Sequence, residues 1–145
     1  MKKLNILITF LSIAILAVSC ETYDDYNTER KTVAGFNLPT KNINNIPEGG
    51  SKSSTIDIFV SDLSTVDRTF TIEDMVSTSD EFPATAPDNY TFDSTVVVPA
   101  GERFGTITVT GEDNSITDER SYFILKVQAS TDVVSGGTVL VGLRN

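Results

Sequence analysis

The side chains of this chain equipped to do chemistry are its acids. Twenty Asp and Glu stand against eleven Lys and Arg, a formal charge of −9 over 145 residues. Histidine and tryptophan are absent, and Cys20 is the single cysteine. Without histidine, neither a Ser-His-Asp or Cys-His relay nor a His-ligated zinc site can be assembled. One cysteine excludes an intramolecular disulfide. Acids that converge in loops can bind a hard cation, since calcium takes about 6–8 oxygen ligands. A pair of them could instead serve as the acid and nucleophile of a glycosidase, or all of them could simply be solvated. No nucleophile motif accompanies them, and so small a domain has no second lobe to form a cleft, so a non-catalytic protein is expected. The acidity disfavours nucleic acid and suits cations or basic proteins.

The acids fall between segments of alternating hydrophobicity, and these segments must position them. From Val33 onward the apolar period is two rather than helical, and no helix is expected. Strands are read at residues 33–38, 55–61, 68–76, 90–98, 104–110, 122–127 and 138–145. In the fifth, Ile107 and Val109 alternate with Thr106, Thr108 and Thr110. The run Val96-Val97-Val98 suggests burial on both faces or a crossing between sheets, with a kink near Asp93-Ser94. Pro99-Ala100-Gly101 is a turn: proline cannot continue the ladder, and glycine accepts backbone angles other residues resist. Residues 88–127 thus form a three-strand meander around which the fold is organised. Seven short strands over about 110 residues predict an all-β, Ig-like antiparallel β-sandwich of about seven strands. The Cys-Trp-Cys pattern of antibody domains is missing, so the likeness is of shape.

Consecutive antiparallel strands place alternate loops at opposite ends of a sandwich. Glu48, then Asp80, Glu81 and Asp88, then Glu112, Asp113, Asp118 and Glu119 should therefore share one end. The other end should collect Asp62, Asp67, Glu102 and Asp132. The first end is the one to inspect.

The start of the chain is an address. Lys2 and Lys3 precede an apolar core from Leu4 to Val18, too short for a comfortable membrane span, which favours a secretory signal. Ala17-Val18-Ser19-Cys20 resembles the lipobox of bacterial lipoproteins. That resemblance implies a signal peptide over residues 1–19 and a Cys20 that is lipidated (palmitate among its acyl chains) and becomes the mature N-terminus. Several acyl chains anchor stably where one is marginal. Loss of Lys2 and Lys3 would take the charge from −9 to −11. Residues 20–32 then form the lipidated cysteine and an acidic tether. Glu21, Asp24 and Asp25 resemble the acidic signal that exports some lipoproteins to the outer face of the outer membrane; a solvated spacer is the alternative. The expected location is the cell envelope, with the outer membrane preferred over the inner.

Residues 33–145 resemble a Calx-beta domain. The likeness is carried by Ile46-Pro47-Glu48-Gly49-Gly50, by Asn89-Tyr90 with Val96-Val97-Val98-Pro99-Ala100-Gly101, and by Asp113-Asn114-Ser115-Ile116-Thr117-Asp118 leading to Phe123, Leu125 and Val127. Small sandwich modules of surface lipoproteins share the Tyr and Pro-Ala-Gly pattern. The Calx-beta resemblance implies calcium ligation by Glu48, Asn89, Asp113, Asn114 and Asp118. Asparagine stands where the family has aspartate at 89 and 114, and Ser121 where it has a second glutamate, so negative charge is thinned. Asn89-Tyr90-Thr91 also matches a glycosylation sequon, and Tyr23, Tyr26 and Phe82 are candidate aromatic anchors. The sequence therefore points to an envelope-anchored, non-catalytic binding or structural module for a protein or glycan. A calcium-dependent adhesion or assembly module is the alternative.

Overall fold

Alternation along each strand decides which side chains meet. A computed structural model describes residues 30–145; the signal peptide, Cys20 and the tether through residue 29 lie outside the described residues. Residues 31–145 form one compact unit with its own core. Ten strands run in order: β1 Thr32–Phe36, β2 Thr40–Ile43, β3 Ser51–Val60, β4 Arg68–Val76, β5 Tyr90–Phe92, β6 Thr95–Val98, β7 Phe104–Glu112, β8 Ser121–Val127, β9 Val133–Ser135 and β10 Val139–Leu143. They form two sheets, β5-β7-β3-β1-β9 and β2-β10-β8-β4-β6, facing each other as a sandwich. Along β7, Ile107 and Val109 point into the core while Thr106 and Thr108 face water. The inner faces interlock through Phe123, Ile58, Ile107, Leu125 and Leu143, all nearly devoid of exposure. Burying a side chain of that size is worth about 1.5–3 kcal/mol.

All seven expected strands are present, and the fourth is divided. β5 pairs with β7 in one sheet, whereas β6 pairs with β4 in the other. The change occurs at the expected kink: Asp93 N–H donates to Thr108 O at 3.0 Å, and Ser94 O accepts from Ile72 N–H at 2.8 Å. Val96 and Val98 are buried while Val97 is 52% exposed, so the valine run alternates normally and double burial is not its cause. Gly101 has φ +78°, the turn geometry Pro99-Ala100-Gly101 called for.

β2 and β9 were not expected, because each lies in a stretch of loop-like composition. Both are short edge strands held by parallel pairing, β2 on β10 and β9 on β1. The first two strands therefore run beside the last two, β1 with β9 and β2 with β10, and the two segments change sheets together. Their crossing is tight. A Cβ on Gly35 would lie 2.5 Å from Gly137 N and 2.8 Å from Gly136 Cα, both backbone atoms that cannot swing aside. Gly35→Ala should accordingly destabilise the domain by about 1–3 kcal/mol. Urea melts compared with wild type would show it as a lower midpoint with the same slope; an unchanged midpoint would mean the crossing relaxes freely.

Candidate functional site at the acidic loop end

Strand directions fix the loop ends. β3 runs antiparallel to β7 with Ser51 opposite Glu112, and β8 runs antiparallel to β10 with Ser121 opposite Leu143. Residues 44–50, 77–89 and 113–120 consequently gather at one end, and residues 61–67, 99–103 and 128–132 at the other. The acids divide between the ends as the strand order predicts. The chain enters the sandwich through Thr32, at the second end.

The three acidic loops are sewn to one another. Gly49 N–H donates to Asp113 Oδ2 at 2.8 Å, and Asp113 N–H donates to Gly50 O at 2.9 Å. The Asn114 side-chain amide donates to Asp88 O. Asn89 closes the 3-10 turn Pro87–Asn89 and is only 2% exposed. Its Nδ2 donates to Thr85 Oγ1 at 3.1 Å and Ser115 Oγ at 3.0 Å, while its Oδ1 accepts from Ser115 N–H at 2.9 Å. Lys52 donates to Asn44 O at 2.7 Å and Arg120 to Asn44 Oδ1 at 2.6 Å, tying residues 44–50 to β3 and to the third loop. Between the first and third loops lies an open groove of about 280 Å³ lined by Gly49, Gly50, Ser51, Glu112, Asp113 and Asn114. Thr91 Oγ1 donates to Glu112 Oε1 at 3.1 Å and sets that carboxylate at its rim.

Of the five residues the Calx-beta resemblance implies as ligands, Asn89, Asp113 and Asn114 are brought into this knot, and each is engaged by neighbouring protein groups. Glu48 and Asp118 are exposed in the flanking loops. Among the described residues no group of three or more His, Cys, Asp or Glu stands close enough to share a metal ion. The sequon residue Asn89 has its amide buried and bonded, which closes it to modification in the folded domain. Phe82 is spent locally, packing edge-on against Tyr122 at 5.2 Å; Tyr23 and Tyr26 lie outside the described residues. Sequence reasoning placed Glu112 at this end but missed Ser51 as its groove neighbour and Thr85 and Ser115 as the partners of Asn89. Register alone brings Ser51 and Glu112 together, and no local motif announces it.

Below the knot, Tyr90 joins the two sheets. Its ring stacks on Phe123, centroids 3.7 Å apart, and its hydroxyl donates to Asp74 Oδ2 at 2.6 Å. Burial, with the hydrogen bond and charge of Asp74 added, pushes its phenol well above the ordinary range.

No family model matches the chain, and no curated protein is significantly similar to it. Solved structures do share its architecture. A candidate carbohydrate-binding protein from Bacteroides ovatus superposes with a TM-score of 0.62 at 11% identity, over 77% of this chain and 36% of its own length. A Bacteroides ovatus protein of unknown function gives 0.59 at 14%, over 82% and 46% respectively. The apo form of the Calx CBD1 domain gives 0.56 at 14%, over 80% of this chain and 100% of that domain. The chain thus spans less than half of the two bacterial proteins. At these identities the likeness is one of fold, a Calx-beta-like β-sandwich.

Two outcomes check this geometry. Asn89→Ala removes a buried amide with its bonds to Thr85 and Ser115 and should cost about 1–3 kcal/mol, lowering Tm by roughly 10 °C. Asn114→Ala, at an exposed position, should lower it far less. Tyr90 also makes stability fall in alkali. Its folded pKa lies above the unfolded value of 10.0, so its contribution is intact below that pH. Above it the unfolded chain ionises first, and the contribution is lost as pH rises toward the folded value. Tyr90→Phe should flatten Tm measured across that range; a parallel decline in both proteins would place the alkaline sensitivity elsewhere.

Proposed function

We propose that this chain is an envelope lipoprotein, anchored through Cys20, whose sandwich is a non-catalytic binding module that presents its acidic loop end to a glycan. The observation that carries the reading is the polarity of the sandwich. The chain enters at one end, and the hydrogen-bonded loops with their groove occupy the other. The groove therefore lies at the end away from the chain's point of entry at Thr32. The groove suits a polyhydroxylated ligand because Glu112, Asp113, Asn114 and Ser51 offer acceptors and donors around an open floor of glycine backbone. The candidate carbohydrate-binding protein of the same fold supports the glycan class over a protein partner.

Expression of the full chain should place it in the membrane fraction with radiolabelled palmitate attached, and Cys20→Ala should remove both. A glycan array probed with residues 31–145 should return a ligand. Its retention should drop at least tenfold in Glu112→Ala and Asp113→Ala but persist in Glu102→Ala and Asp132→Ala at the opposite end. An array without a ligand, alongside capture of a single envelope protein by the wild type, would replace the glycan with that protein. Repeating the array with millimolar calcium separates the metal-dependent alternative, because only a site built on the ion gains binding that Asp113→Asn abolishes.

A further inference from the structure

The end of the sandwich where the chain enters carries its own surface. Leu63, Val66 and Phe104 are 57%, 65% and 55% exposed there. Single exposed apolar residues are ordinary, but these three are held out together by a braced framework. Gly101 N–H donates to Ser64 O at 2.8 Å, and Ala100 N–H to Asp67 Oδ1 at 2.8 Å, which lock residues 61–67 to the Pro99 turn. Val60 N–H donates to Arg103 O at 2.9 Å, and the Arg103 guanidinium donates to Ser61 O, which hold Phe104 beside the same loop. The incoming strand joins the same loop: Val33 N–H donates to Ser61 Oγ and Ser61 N–H to Val33 O, each at 2.9 Å.

The geometry points to this end as a docking surface for the lipid bilayer, with Leu63, Val66 and Phe104 seated among the headgroups and upper acyl chains. The inference rests on the anchored reading above and deepens it. Two observations select a bilayer over a protein partner. First, the segment that carries Cys20 leads directly into this end, and the twelve residues from Cys20 to Thr32 can span at most about 40 Å. Second, charge is sorted along the domain. Lys31, Arg68 and Arg103 stand at this end against Asp62, Asp67, Glu102 and Asp132, and two of those four acids are already engaged, Asp62 by Arg68 at 3.1 Å and Asp67 by Ala100 N–H. The opposite end concentrates eight acids against Lys52, Arg120 and Arg144, an excess of negative charge that an anionic headgroup layer would repel. Apolar side chains on rigid loops beside near-balanced charge suit a headgroup interface, and seating them would stand the sandwich upright.

The chain lacks tryptophan and has one cysteine, so one reporter and one coupling site can be introduced without interference. Residues 20–145 would be coupled through Cys20 to a maleimide lipid in phosphatidylcholine vesicles, with tryptophan at Phe104→Trp, Leu63→Trp or, at the far end, Val76→Trp. Phosphatidylcholine carrying brominated acyl chains should quench Phe104→Trp and Leu63→Trp at least twofold and leave Val76→Trp unchanged. Adding Leu63→Asp and Val66→Asp to Phe104→Trp should abolish the quenching while thermal melts stay cooperative. Equal quenching at both ends, or none at Phe104 and Leu63, would overturn the proposal. Because the coupling is chemical, this result is independent of native lipidation, which the Cys20→Ala fractionation reads separately.

Discussion

Two sheets stacked face to face leave four open edges, and closing those edges is the constraint on which the rest of this structure depends. Unpaired edge N–H and C=O groups invite association with other chains. Here the chain closes its corners by walking strands across them. At one corner β5 continues into β6, leaving sheet one at Asp93 and joining sheet two at Ser94. At the other, β1 continues into β2 and β9 into β10, with Phe36 N–H reaching Gly137 O at 2.8 Å and Leu140 N–H reaching Pro39 O at 2.9 Å. The edge strands that remain, β2, β5, β6 and β9, are three or four residues long. Crossing backbones need room, which is why Gly35 and Gly137 meet where no side chain could fit.

The legible part of this architecture is the part written locally. Period-two alternation marks every long strand, because its outward positions are filled by threonine and other β-formers that water tolerates. The outer hydroxyls even pair across strands, Ser53 with Thr110 at 2.8 Å and Thr106 with Asp57 at 2.9 Å. Pro99-Ala100-Gly101 spells its own turn, and Asp93-Ser94 its own kink. What is not local is not legible. Residues 40–43, Thr-Lys-Asn-Ile, become a strand because β10 lies alongside them, and nothing in those four residues says so.

The acidic end shows the same division. Its composition follows from strand alternation alone, so the gathering of Glu48, Asp88, Glu112 and Asp113 was foreseeable once the strands were placed. The role of each side chain was not. Asn89 sits in a sequon and at a position where the Calx-beta resemblance of the sequence implies a calcium ligand, yet it is buried and bonded to Thr85 and Ser115. A neutral amide both donates and accepts, which a carboxylate at the same place could not do. Substituting asparagine for aspartate therefore trades a charge for two-sided hydrogen bonding, and the loops gain a fastening that works without a cation.

That exchange has a consequence for what such an end can recognise. Loops held to one another by their own side chains and backbone are preformed, and a preformed surface loses little entropy on binding. Glu112 and Asp113 are left at the rim of an open groove, where their remaining acceptor positions face outward. A ligand rich in hydroxyl donors can satisfy those positions one at a time. An anionic ligand would meet uncompensated carboxylates, and like charges brought together cost affinity. On the proposed reading, the same distribution of charge that would turn this end away from an anionic surface would also favour neutral, donor-rich ligands.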